Sequence, residues 1–108
     1  MAGLKLFWTE TAIRQRNLIF EYWIERNQSF DYSRKLNSKI KERTDTLKQN
    51  PELGKKTEFK NTRVVSLGHY SIFYQFDSNT IIVTGFWDNR QEPGKLLKFF
   101  KLLKSNGS

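Results

Sequence analysis

Cysteine is absent from this sequence, which removes disulfides and thiolate metal sites together. Histidine occurs once, at position 69, so a histidine-rich metal centre is excluded as well. No run is apolar for the length of a bilayer span, and Met1-Ala2-Gly3-Leu4-Lys5 lacks the basic-then-apolar form of a signal peptide. The expectation is a cytoplasmic protein with no membrane contact, no metal and no cofactor. Any chemistry must come from carboxylates, lysines, arginines, tyrosines and the single histidine.

What is abundant is positive charge. Nineteen Lys and Arg against eleven Asp and Glu leave a formal charge of +8 on 108 residues. Such an excess attracts polyanions across a Debye length and points to nucleic acid, a ribosome or an acidic protein as partner. With 37% hydrophobic and 28% charged residues the chain reads as globular, long enough for one core and too short for two. One domain over residues 1–104 is expected, followed by a ragged tail at 105–108.

Leu4, Leu6 and Trp8 alternate with Lys5 in a first strand. Thr9 and Thr11 can each cap the helix that follows, where Ile13, Phe20, Trp23 and Ile24 recur at helical spacing between Glu10 and Arg26. Asn27-Gln28-Ser29 breaks that pattern. A second helix spans Phe30 to Gln49, with Phe30, Leu36, Ile40 and Leu47 on one stripe, and Asn50-Pro51 stops it. Residues 52–61 read as a polar loop. Arg63–Leu67 is the next strand, Gly68-His69 a tight turn, Tyr70–Phe76 a strand, Asp77-Ser78-Asn79 a turn, and Thr80–Trp87 so apolar a strand that it reads as central. Pro93-Gly94 then opens a short helix, Lys95 to Leu103. The order β-α-α-β-β-β plus a C-terminal helix gives an α+β domain: one antiparallel sheet with a helical hairpin on one face and the other face left concave.

The late hairpin Gly68-His69-Tyr70-Ser71-Ile72-Phe73-Tyr74, leading through a strand into Phe86-Trp87-Asp88-Asn89-Arg90-Gln91-Glu92-Pro93-Gly94-Lys95-Leu96, resembles the RelE/ParE superfamily of toxins from type II toxin-antitoxin systems. The likeness covers nearly the whole chain. It implies a growth-inhibiting toxin bound by a cognate antitoxin, with the concave sheet face and the C-terminal segment as the working site. Two activities are compatible with the resemblance. The one expected, given the net charge of +8 and the polar Asp88 to Glu92 segment, is a ribosome-associated endonuclease that cuts mRNA; the alternative is inhibition of DNA gyrase by binding, as in the ParE branch. A third possibility is an inactive member that only binds antitoxin.

For the first activity the resemblance implies a cleft with Arg63, His69, Arg90 and Glu92. RNA cleavage through a 2′-hydroxyl needs a base, an acid and cations on the phosphate. Arg63 and Arg90 suit bidentate phosphate binding, and His69 is the only side chain with an unperturbed pKa near neutrality. Lys55, Lys56, Lys60 and Lys95 would add cations for nucleic acid, and Trp87 a surface for base stacking. Two positions depart from the RNA-cleaving pattern. Ser71 stands where arginine is common, and no tyrosine follows Tyr74.

Overall fold

The computed structural model describes residues 3–91. Strand β1 (Lys5–Trp8) runs directly into helix α1 (Glu10–Asn27), because Thr9 has extended backbone and its Oγ1 accepts from the Ala12 amide at 3.1 Å. α1 closes where Gln28 takes a left-handed conformation, φ 52°, and returns its N–H to the Ile24 carbonyl. Helix α2 (Asp31–Gln49) buries Leu36, Ile40, Thr44 and Leu47 along one stripe, and Ser33 Oγ donates to the Phe20 carbonyl at 2.9 Å, tying the two helices together.

Pro51 turns the chain into a short 3-10 turn, Pro51–Leu53. Strands β2 (Lys55–Lys56), β3 (Arg63–Leu67), β4 (Tyr70–Phe76) and β5 (Thr80–Asp88) follow. They form one five-stranded sheet in the order β1-β5-β4-β3-β2. The helical hairpin covers one face, and the core between them includes Leu36, Leu47, Ile72, Tyr74, Ile81 and Phe86.

Three features depart from the expected sheet. First, β1 pairs with β5 in parallel, so the sheet is mixed. The cause is the return path of α2: Leu4 N–H donates to the Lys48 carbonyl at 3.1 Å, placing the end of α2 beside the start of β1. β3 therefore sets out in the direction of β1, and two reversals later β5 has that direction too. Second, the polar loop at 52–61 contains the edge strand β2, two residues long and exposed. Third, β4 is the central strand, buried without interruption from Tyr70 to Tyr74, whereas Ile82 of β5 is 38% exposed. The neighbour of β5 pairs only with Thr80 to Val83, which leaves the rest of that edge without a strand. The helix expected at Lys95–Leu103 and the tail at 105–108 lie outside the described residues.

A bulge sets what β5 presents at its far end. Tyr74 pairs with Val83 and Phe73 with Gly85, so Thr84 is an extra residue. Unbroken alternation after Val83 would turn Gly85 and Trp87 towards the helices. The inserted residue turns Phe86 inward instead, where it is 1% exposed, and leaves Trp87 half-buried. On the edge that β1 no longer covers, the Phe86 amide donates to Gln15 Oε1 of α1 at 2.9 Å. Helix α1 thus takes over from β1 in satisfying β5.

Candidate functional site

The end of β5 meets the β3–β4 turn and the C-terminal half of α1. Tyr70, at the start of β4, is 2% exposed and its ring stacks on Phe86 with centroids 5.3 Å apart. Three groups converge on its hydroxyl. Trp23 Nε1 donates to it at 3.1 Å, Tyr32 Oη lies 3.0 Å away, and Arg90 Nη2 lies at 3.5 Å. Burial, and then the hydrogen bond with Tyr32, push the Tyr70 phenol well above its ordinary pKa, so it stays protonated. Trp23 and Tyr32 pack with centroids 4.7 Å apart, which closes the cluster from the helical side.

Arg90 caps this cluster. Its Nε and Nη2 donate to the two carboxylate oxygens of Asp88 at 2.9 and 2.8 Å, and its backbone N–H donates to Asp88 Oδ1 at 2.9 Å. The guanidinium carbon sits 5.5 Å from the Trp23 ring centre and 5.8 Å from that of Tyr70. The side-chain hydrogen bond from Arg90 is the main cause that holds the Asp88 carboxyl below its ordinary pKa, and the same bond raises that of Arg90. Beside them, Asn89 N–H donates to the His69 carbonyl at 2.8 Å and Ser71 Oγ donates to Asn89 Oδ1 at 2.8 Å. Chain exit from β5 is therefore held by backbone, side-chain and ring contacts at once.

Against this end of the sheet lies a cleft of about 710 Å³ whose walls include Leu18, Tyr22, Trp23, Trp87 and Arg90. Leu18 and Tyr22 are 59% and 54% exposed, and the Tyr22 ring meets Trp23 edge-on with centroids 5.1 Å apart. Arg26 borders the cleft with its guanidinium carbon 5.8 Å from the Trp23 ring centre.

The expected catalytic set is divided by the fold. His69, Arg90 and Trp87 share the end just described. Arg63 does not: it stands opposite Tyr74 on β4, while Asp88 stands opposite Tyr70. Four positions along a strand separate the two ends by about 13 Å. Arg63 Nη1 donates to the carbonyls of Gly54 at 2.8 Å and Glu52 at 3.3 Å, pinning the 3-10 turn to the sheet, and its guanidinium lies 5.7 Å from the Phe76 ring centre. The same corner is braced from inside by Tyr74, whose hydroxyl donates to the Pro51 carbonyl at 2.6 Å and accepts the Gly54 amide at 2.9 Å.

Lys55, Lys56 and Lys60 belong to that second end, exposed on β2 and the loop after it. Lys56 and Arg63 border a separate cleft of about 550 Å³ with Asp77 and Gln75. His69 is exposed in the turn. Glu92 and Lys95 lie outside the described residues. Among the described residues no group of three or more His, Asp or Glu could hold a metal ion, and no helix is long and apolar enough to cross a membrane. The members that sequence reasoning missed are Trp23, Tyr32 and Gln15. Trp23 gave only the signal of an apolar helix position, and nothing local marks a glutamine that will meet a bulged strand.

Residues 6–93 match the family described as the ParE toxin of the type II toxin-antitoxin system, parDE. The chain belongs to the ParE toxin family. The fold agrees. A solved structure titled as the chromosomal ParDE toxin-antitoxin system from P. aeruginosa superposes with a TM-score of 0.67 at 19% identity, covering 78% of this chain and 94% of that one. A comparison with curated proteins finds no significant match. The toxin class expected from the late hairpin is thereby established, as is the helical hairpin on a sheet that goes with it. The described site of this ParE-family chain is an aromatic and arginine cluster, with no free acid–base pair at its centre.

Proposed function

We propose that this ParE-family toxin inhibits growth by binding DNA gyrase without cutting RNA, and that a cognate antitoxin neutralises it. The observation that carries this reading is the state of the two arginines. Arg90 is chelated by Asp88 and stacked on Trp23, Arg63 is committed to the carbonyls of Glu52 and Gly54, and the two stand at opposite ends of the sheet. A phosphate in flight during RNA cleavage needs cations converging on one point with donors to spare. Here the two arginines do not converge: each is tied to a different partner set at a different end of β4.

Binding makes other demands, and the cleft end meets them. It offers Trp23, Trp87 and Tyr22 with exposed Leu18 beside them, the aromatic and apolar content that anchors protein interfaces. The departures at Ser71 and at the missing late tyrosine fit the same reading, since Ser71 is buried and hydrogen-bonded to Asn89.

The test is a supercoiling reaction with purified gyrase and relaxed plasmid. Added toxin should block supercoiling and leave gyrase trapped on cleaved DNA, and equimolar antitoxin should restore activity. Normal supercoiling at saturating toxin, with message cut on translating ribosomes, would replace this reading by the endonuclease one.

A further inference from the structure

Helix α2 carries its cations on two different faces. On one, Lys41 and Lys48 both reach Asp45, at 3.3 and 3.2 Å, so both lysines there are engaged by a carboxylate. The other carries Lys35, Lys39 and Arg43, each four residues from the last. None of these three makes an ion pair or side-chain hydrogen bond with any described residue. Successive members are one helical turn apart, about 6 Å, so the row is about 12 Å long.

The row borders the sheet. Lys39 and Arg43 share a shallow concavity of about 410 Å³ with Thr46, Leu67 and Gly68, the last at the exposed β3–β4 turn. Gly68 has φ +60° and no atom within 4 Å of where a Cβ would sit, so the turn is open outward. One acid, Glu42, lines the same concavity, and no cation of the described residues pairs with it. Within the concavity the balance is two cations, Lys39 and Arg43, against one carboxylate, and Lys35 extends the row by one turn.

We propose that the Lys35–Lys39–Arg43 row is a second binding surface, distinct from the aromatic cleft, and that it takes the phosphate backbone of duplex DNA. Three observations select this occupant. The chain as a whole is at +8, so a polyanion is drawn to it and a cationic or neutral partner is not. The row is straight and follows a helix, a shape that fits along a groove edge. Among the described residues no aromatic ring lines this concavity. Tyr32, the aromatic on that side of α2, is turned inward onto Trp23 and Tyr70, and single strands are held chiefly by stacking on exposed rings. The surface goes beyond the gyrase reading and does not need it: it would let the toxin contact DNA wherever its protein target is working.

The test is fluorescence anisotropy of a labelled 20-base-pair duplex DNA, with a 20-nucleotide single-stranded RNA as second probe, titrated with the whole chain at several salt concentrations. Each phosphate contact contributes about 0.9 to the slope of log affinity on log salt. Lys35→Ala/Lys39→Ala should lower the slope by about 1.8 and weaken duplex binding at least about tenfold at 0.1 M salt. Lys41→Ala/Lys48→Ala removes the same charge from the same helix and should change affinity less than about twofold, because those lysines already serve Asp45. Glu42→Gln, at an exposed site that asks nothing of folding, should tighten binding. Equal losses in the two lysine pairs would reduce the effect to net charge and overturn the surface. RNA bound as tightly as duplex, unchanged binding by Glu42→Gln, or no duplex binding at 0.1 M salt would each overturn it too.

Discussion

Asp88 shows how one residue decides between two readings of its neighbour. An arginine just beyond a strand, near a histidine and a tyrosine, has the composition of a phosphate site. With Asp88 two positions earlier, the guanidinium is instead folded back into a bidentate pair, and its remaining face lies on Trp23 and Tyr70. The pair is half in solvent, Arg90 being 45% exposed in its side chain, so its net worth is about 1 kcal/mol or less. The sign of its pH dependence is fixed by the lowered pKa of Asp88. Folding favours the carboxylate, so the stabilisation is complete above the ordinary carboxylate range, about pH 4, and is lost as pH falls through the lower folded-state value. Urea unfolding should therefore find Asp88→Asn less stable than the parent by a constant margin from pH 7 to 5. That margin should shrink below about pH 4. A margin that widened in acid would mean that Asp88 is not the ionised partner of Arg90.

At the level of elements, the bulge at Thr84 and the handover from β1 to α1 explain why the cleft exists. β1 stops pairing at Val83, the inserted residue turns Phe86 inward, and Gln15 reaches across to the amide left without a strand partner. Gln15→Ala should cost about 1–2 kcal/mol, the usual penalty for a buried amide without an acceptor. The loss should concentrate in faster hydrogen exchange at Phe86 and neighbouring amides of β5. Uniformly unchanged exchange would show that water replaces the glutamine there.

The sequence carried the local parts of this architecture. Thr9 caps α1, Asn50-Pro51 ends α2, Gly68-His69 turns β3 into β4, and Asp77 Oδ1 accepts from the Asn79 and Thr80 amides in the turn between β4 and β5, each close to where residue chemistry put it. What escaped is non-local. The parallel β1–β5 contact, β2 opposite β3, and the central place of β4 depend on which distant segments lie side by side. An apolar run such as Thr80–Trp87 is equally compatible with a centre and with a strand one place from the edge. The placement of the site residues was hidden for the same reason: Arg63 and Arg90 both border the late hairpin in sequence, but the antiparallel register sends them to opposite ends of β4.

For the molecule as a whole, the described surface offers the aromatic cleft and the unpaired cation row of α2 at separate places. Exposed Leu18 and Tyr22 flank the cleft with Trp23 and Trp87, while the unpaired cations of α2 line the edge by the β3–β4 turn. A ParE-family toxin built this way has a surface suited to gripping a protein and another suited to lying along a polyanion. Its two arginines at the hairpin are tied to different partners at different ends of β4. The central claim is that growth inhibition comes from binding and not from cutting phosphodiester bonds. It is tested most directly by inducing the toxin in a bacterial host that carries a reporter plasmid, then mapping message 5′ ends and plasmid topology from the same cultures. The account predicts intact messages and a plasmid that loses negative supercoils as growth slows. Codon-phased cuts in messages with plasmid supercoiling unchanged would contradict it.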